Sequence, residues 1–344
     1  MKVWIDMANS PHPLLFAPVA RRLQADGHDV LVTGRDNAQT ASLTLAAWPG
    51  AQIFGAESPP GRLAKGANIG RRMAALRRWA VAARPDVALS HNSYAQIVAA
   101  RSLRVRVVTA MDFEHQPANH VAFRLAHLVL LPDALPVGLV RRQGARPRKV
   151  RQYPGLKEEL YLADFEPDAD VEKNIGVRRN GATALVIART PPSRAAYHHF
   201  GNPLFEAALR RVCSQPNVVC VVLPRHAEQR EAIQQLGLEG CVVPDHAVDS
   251  RSLMCGADLV LGAGGTMTRE AALLGVPVYS LFAGRPAAVD DWLIKRGLLK
   301  RLERAEDLPS VTRRSDHRPA LEELAQRSRA ILKTFVDATL TPRA

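Results

Sequence analysis

The sequence predicts an α/β protein of two domains, each with a mainly parallel sheet, and three observations carry that expectation. Short apolar runs alternate with amphipathic helical stretches in both halves, the pattern of repeated βαβ units. A chain of 344 residues with 47% hydrophobic content can bury two cores of ordinary size. Between Pro132 and Pro167 the periodicity fades into proline, glycine and charge, as an interdomain passage would. The expected domains are residues 1–150 and 165–318, with a last helical stretch, 319–344, able to pack back at their junction.

In the first domain strands are expected at Val3–Met7, Val30–Thr33, Gln52–Phe54, Val87–Ser90, Val105–Thr109 and Leu128–Leu131. The helix after the first strand carries Phe16, Val19, Ala20 and Leu23 at i, i+3, i+4 and i+7, one buried stripe, and Gly27 is placed to end it. In the second domain strands are expected at Ala184–Ala188, Val218–Leu223, Cys241–Val243, Leu259–Gly262 and Pro277–Leu281. A short helix, Asp249–Cys255, has Asp249 as its N-cap, and the last helix spans about Ala320–Ala338.

A formal net charge of +13 favours an anionic partner, and basic residues concentrate in Arg62–Arg84 and Arg141–Arg151. Nucleotide phosphates, a membrane surface and nucleic acid are the candidates, with a merely solvated basic face as the plainer account. No RNP sequence, zinc finger or interleaving of aromatic with basic residues is present, so nucleic acid is not expected. The stretch Arg62–Arg84 would suit a weak association with an anionic membrane. No run approaches the roughly 20 apolar residues of a membrane helix. The opening MKVWIDM reads directly as a strand, without the charged and apolar regions of a signal peptide. The expected location is therefore the cytoplasm, peripheral to the inner face of the membrane if the basic stretch acts there. Cys213, Cys220, Cys241 and Cys255 lack C-x-x-C spacing and are expected to be free thiols, and neither a metal nor an organic cofactor is expected.

The strongest chemical signal runs from Ala257 to Pro277: an apolar strand, a glycine-rich turn and a helix closed by Gly275 and Pro277. Gly262, Gly264 and Gly265 let backbone N–H groups approach an anion, Thr266 adds a hydroxyl and Met267 a further amide, and the helix directs its positive end at the ligand. Glu270, one turn in, has two acceptor oxygens for a ribose diol. A Walker loop would need Gly-Lys-Ser/Thr here; a plain βα turn with a solvent-facing Glu is the competing account.

Other candidates follow strands, where ligands of open α/β sheets collect. Asn9, Ser10 and His12 follow the first strand, although Asn9 or Ser10 would equally serve as a helix cap. His91 and Ser93 follow the fourth. Asp112, Glu114 and His115 follow the fifth and form the densest ionisable set, suited to supply a general base. In the second domain Arg189 and Arg225 end the first two strands, where a guanidinium fork fits a diphosphate; solvated surface arginines are the alternative.

The segments VWIDMANSPHP, RRLQADGHDVLVTGRD, MDFEHQ, YPGLKEELYL and GAGGTMTREAALLGVPVYS resemble a prokaryotic family described as predicted glycosyltransferases, over a stretch ending near Leu299. More distantly the chain is similar to UDP-N-acetylglucosamine 2-epimerases and to the membrane-associated N-acetylglucosaminyltransferases of peptidoglycan synthesis. The resemblance implies two Rossmann-like domains facing across a cleft, the glycosyltransferase-B type. It also implies that Gly264, Gly265 and Thr266 contact phosphate and that Glu270 contacts ribose. His91-Asn92-Ser93-Tyr94 stands where the epimerases have His-Gly-Asp-Thr, and Asn9-Ser10-Pro11-His12 replaces the glycine-rich turn of the transferases.

The leading expectation is transfer of a glycosyl group from a nucleotide diphosphate sugar, UDP-linked, to a lipid-linked or cell-envelope acceptor. His12, Asp112 or Glu114 would take the acceptor's proton and Arg189 or Arg225 would neutralise the leaving diphosphate. The alternatives are a non-hydrolysing 2-epimerase-like enzyme and a non-catalytic nucleotide-sugar-binding protein.

Overall fold

The computed structural model describes residues 1–37, 39–56, 62–191, 203–314 and 321–341. The chain divides into two compact units, the first Met1–Ala163 with Ala287–Val289 and Ala325–Ala344, the second Asp164–Pro286 with Asp290–Leu324.

The first unit contains β1 (Lys2–Met7), β2 (Asp29–Gly34), β3 (Gln52–Ile53), β4 (Val87–His91), β5 (Arg106–Ala110), β6 (Leu128–Pro132) and β7 (Val150–Tyr153), in the order β3-β2-β1-β4-β5-β6-β7. Every pairing is parallel. The connections run outward from β1 through β2 and β3, then return to β4 on its other side. Neighbouring loops therefore leave in opposite directions and open a crevice at the carboxyl ends of β1 and β4. Both strands are buried almost throughout, which is why they read as continuous apolar runs rather than alternating ones. In the helix His12–Ala25 the residues Phe16, Val19, Ala20 and Leu23 are buried, as their spacing requires, and Gly27 follows at φ 80°, a left-handed position that suits glycine.

The second unit repeats the plan with β8 (Ala184–Arg189), β9 (Val218–Leu223), β10 (Cys241–Val242), β11 (Leu259–Gly262), β12 (Val278–Ser280) and β13 (Lys300–Arg301), ordered β10-β9-β8-β11-β12-β13. All pairings are again parallel, and the direction of winding switches between β8 and β11. Asp249 caps the helix Ser250–Cys255 as expected, accepting from the Arg251 amide at 3.2 Å.

Two strands lie where none was expected. β13 is two exposed charged residues, and β7 falls inside the supposed interdomain passage with Arg151 and Gln152 at its centre, so neither carries an apolar run. The passage itself needs correction: residues 156–162, Leu-Lys-Glu-Glu-Leu-Tyr-Leu, are all buried within the first unit. Ion pairing compensates the burial of three consecutive charged residues, and hydrophobic periodicity cannot register that.

The last helix spans Leu321–Leu340; Ala320 and the boundary expected at 318–319 lie outside the described residues. Its Phe335 packs against Tyr153 and Phe16, and Arg106 donates to the carbonyls of Ala338 and Thr339 at the helix end. Among the described residues no helix is long and apolar enough to cross a membrane.

Candidate functional site

At the β1/β4 crevice of the first unit lies a cavity of about 350 Å³, lined among others by Asn9, Arg72, His91, Asn92, Ser93 and Asp112. Its floor is organised by Asp6, a fully buried residue of β1 that the sequence argument passed over. Both Asp6 oxygens accept from Arg72 Nη2, at 2.8 and 2.9 Å, and the hydroxyls of Ser93 and Thr33 each add a bond of 2.5 Å. A carboxylate with this many donors, one of them a guanidinium, is fully compensated and ties the loops after β1 and β4 together. Arg72 belongs to the helix Arg62–Ala83, whose Arg71, Arg77 and Arg78 are exposed, so this basic stretch has one structural arginine turned inward. Ser93, a candidate ligand contact, thus spends its hydroxyl on Asp6 while still lining the cavity.

Beside this floor sits a second buried cluster. Lys157 Nζ bonds Asp112 Oδ2 at 2.5 Å and also Glu158 Oε1. His91 Nε2 approaches Asp112 Oδ1 at 3.3 Å without hydrogen-bond alignment. The rings of His12 and His91 are 5.3 Å apart between centroids. His12, His91 and Asp112, picked from three separate loops, are therefore neighbours; Lys157 was missed. The one signal for it was a charged triplet set in the apolar frame of LKEELYL.

His12, first residue of its helix and nearly fully buried, has its pKa held well below the ordinary imidazole value, by burial first and then by His91 and Lys157, with Asp112 opposing. Its Nδ1 accepts from the Ala8 backbone N–H at 3.1 Å, which puts the proton of the neutral ring on Nε2. In this state His12 presents a donor, and base work at Nε2 would first require the other tautomer. A stability consequence follows, because the unfolded chain protonates this histidine more readily than the fold does. Stability should rise with pH across the window from the depressed folded value up to the ordinary 6.5, and fall as pH drops through it. Urea midpoints of wild type and His12→Asn compared between about pH 5 and 8 should differ in slope below about pH 6.5 and run parallel above it. Parallel curves throughout would show that His12 is not held neutral.

Glu114 accepts from the Ala288 amide at 2.8 Å and lies 3.4 Å from His115 Nε2, leaving its Oε2 buried without a hydrogen bond among the described residues. Neither Asn9 nor Ser10 caps the following helix: its start has no side-chain cap bond, and Ser10 Oγ lies 3.4 Å from Thr40 Oγ1.

In the second unit the carboxyl ends of β8, β9 and β11 gather the other candidates at the switch point. Gly264 and Gly265 have φ of 79° and 89°, and among the described residues nothing stands within 4 Å of where a Gly265 Cβ would be. Gly265 is exposed and is also the N-cap of the helix Thr266–Leu273, whose first amides have no partner within the helix, while Gly264 lies against Phe282. Gly262 serves another purpose: a Cβ there would come within 2.3 Å of Thr268 Oγ1, so this glycine lets the helix pack on β11. Glu270 is buried rather than solvent-facing, and its charge supports that of Arg189. Burial, with Arg225 next, lowers the Arg189 pKa to about 10. Arg225 is exposed and donates to the Thr190 carbonyl at 3.0 Å, while Arg189 donates to the carbonyls of Leu223 and Pro224, both at 3.2 Å. The cysteines are free, and shared hydrogen bonds and burial push Cys213 up to about 12, so that thiol stays protonated and unreactive.

The chain is 26% identical over 304 residues to an uncharacterized protein of Methanocaldococcus jannaschii, covering 86% of each. Its fold is similar to the structure of UDP-N-acetylglucosamine 2-epimerase from Rickettsia bellii, with TM-score 0.74 and 13% identity over 99% of this chain and 96% of that one. The UDP-GlcNAc 2-epimerase of Neisseria meningitidis bound to UDP-GlcNAc gives 0.70 and 15% over 98% and 94%. MurG of Acinetobacter baumannii gives 0.50 and 17% over 100% and 95%. At such identities the likeness is one of fold, the Rossmann-like, glycosyltransferase-B class with a parallel sheet in each of two units. A family model described as Protein of unknown function (DUF354) matches residues 1–338, and the chain belongs to that family.

Proposed function

We propose that the protein is a glycosyltransferase that moves a sugar from a UDP-linked donor to a hydroxyl of a lipid-linked or cell-envelope acceptor. The observation that carries this reading is the second unit's switch point, where the Gly264–Gly265 turn with its exposed Gly265, the start of a helix, Arg189, Arg225 and Glu270 stand together. Backbone amides and guanidinium groups there are the donors a diphosphate needs, both as ligand and as leaving group. Glu270 is the acceptor for ribose hydroxyls. In the first unit Asp112 and His91 form the carboxylate–imidazole pair for the acceptor's proton, with Lys157 holding Asp112 in place and His12 donating a hydrogen bond.

A second reading rests on the same cluster. Two carboxylates, a lysine and a histidine buried in one cluster, of which His91 and Asp112 line the cavity, would equally serve a 2-epimerase, and proteins of that activity share the fold. Incubation with UDP-GlcNAc and no acceptor separates the two: an epimerase yields a C2 epimer or the 2-acetamidoglucal, a transferase does not.

The test of nucleotide binding is a thermal-shift panel of UDP, CDP, GDP and dTDP sugars. The expected result is a rise in midpoint for UDP and UDP sugars, about 2.7 kcal/mol of added stability at a hundredfold excess over Kd. A flat response to every nucleotide would remove the proposal's basis.

A further inference from the structure

We infer that Asn92 recognises the ligand of the first-unit cavity by accepting a hydrogen bond at its amide oxygen from a sugar hydroxyl; this rests on the reading of that cavity as the acceptor pocket. Asn92 follows β4 at φ 54°, a left-handed conformation uncommon outside glycine, and its amide donates to Thr109 Oγ1 at 3.1 Å. The residue is 7% exposed and lines the cavity.

Which way its side-chain amide faces follows from the partners behind it. Gln143 Nε2 donates to the Glu114 carbonyl at 2.6 Å, so Gln143 turns its oxygen to Asn119. Asn119 Nδ2 donates to that oxygen at 3.2 Å and to the Phe113 carbonyl at 3.0 Å, which leaves Asn119 Oδ1 to face Asn92. Asn92 must meet it with Nδ2, at 2.7 Å, and the same nitrogen lies 3.2 Å from Tyr94 Oη. Backbone carbonyls can only accept, so the whole relay has one orientation. Its last member, Asn92 Oδ1, is buried and has no hydrogen-bond partner among the described residues.

A buried acceptor without a donor is costly, and the fold could have avoided it with a glycine at this left-handed position. A ligand hydroxyl would satisfy it, whereas a phosphate or carboxylate oxygen brings no proton. The remaining walls agree: Tyr94, Met111 and Phe113 are apolar surfaces interspersed with Asn9, His91 and Asn92, the mixture that fits the two-sided polarity of a sugar ring.

The probes are methyl β-D-glucopyranoside and its monodeoxyfluoro analogues, in which a C–F bond replaces one O–H donor at a time, measured by ligand-observed NMR with the full-length chain. One analogue is expected to bind wild type about tenfold more weakly than the parent sugar. Asn92→Gly should bind the parent about tenfold more weakly and no longer distinguish that analogue. Three results would overturn the inference: no binding of the parent sugar, equal binding of all analogues by wild type, or undiminished discrimination by Asn92→Gly. Because the fluoro series is read on wild type, the inference stays testable if the variant does not fold. The UDP thermal shift of both proteins is recorded alongside. A UDP shift retained in Asn92→Gly while sugar discrimination is lost supports the inference, and a wild type without any UDP shift counts against the nucleotide reading alone.

Discussion

Replacing Lys157 by Met should cost the fold about 3–5 kcal/mol, the range for breaking a buried ion pair by removing one partner. Lys157 is 5% exposed and its ammonium stands between the carboxylates of Asp112 and Glu158. Met keeps the length and apolar bulk of the side chain, so the loss reports charge rather than a cavity. Two carboxylates are then buried without the cation between them. Lowering the pH should restore part of the loss, because protonation discharges them. Adding Glu158→Gln to Lys157→Met should also recover stability, since one of the two charges is then absent. Denaturant midpoints of the single and double variants check this; a single variant within about 1 kcal/mol of wild type would show that the cluster is not energetically coupled.

The second large effect concerns the nucleotide. Glu270→Gln keeps the shape of a buried side chain and removes its charge, so UDP affinity should fall about ten- to a hundredfold, the worth of hydrogen bonds to a charged group. Arg189 simultaneously loses a supporting charge, so the unliganded variant should also be less stable than wild type. For that reason the quantity to compare is the UDP-induced shift of each protein from its own unliganded midpoint. A shift as large as that of wild type would end the assignment of Glu270 to ribose.

Legibility in the sequence followed the kind of physics involved. Strands β1, β4, β8 and β11 were readable because a parallel strand covered on both faces must be apolar throughout, and Gly264–Gly265 because two adjacent glycines before a helix answer a conformational demand. β7, β13 and the buried LKEELYL turn were unreadable. The first two are short and polar at the centre or throughout, and the third is stabilised by partners that lie distant in sequence. Gly262 shows a further limit, since a phosphate contact and close helix packing require the same residue type and only the 2.3 Å approach to Thr268 tells them apart. Asp6 and Arg72, 66 positions apart, gave no joint signal either.

By itself the sequence determined the class of fold, the number of domains and the loops in which chemistry is placed, because hydrophobic period and turn chemistry are local properties written residue by residue. Tertiary structure alone decided which charged groups become partners: Lys157 with Asp112, Arg72 with Asp6, Glu270 with Arg189. It also decided that His12 is a neutral donor and that Asn92 has an acceptor to spare. Pairing, burial and tautomer depend on distances across the fold, and those exist only once parallel strands far apart in the chain have been brought side by side.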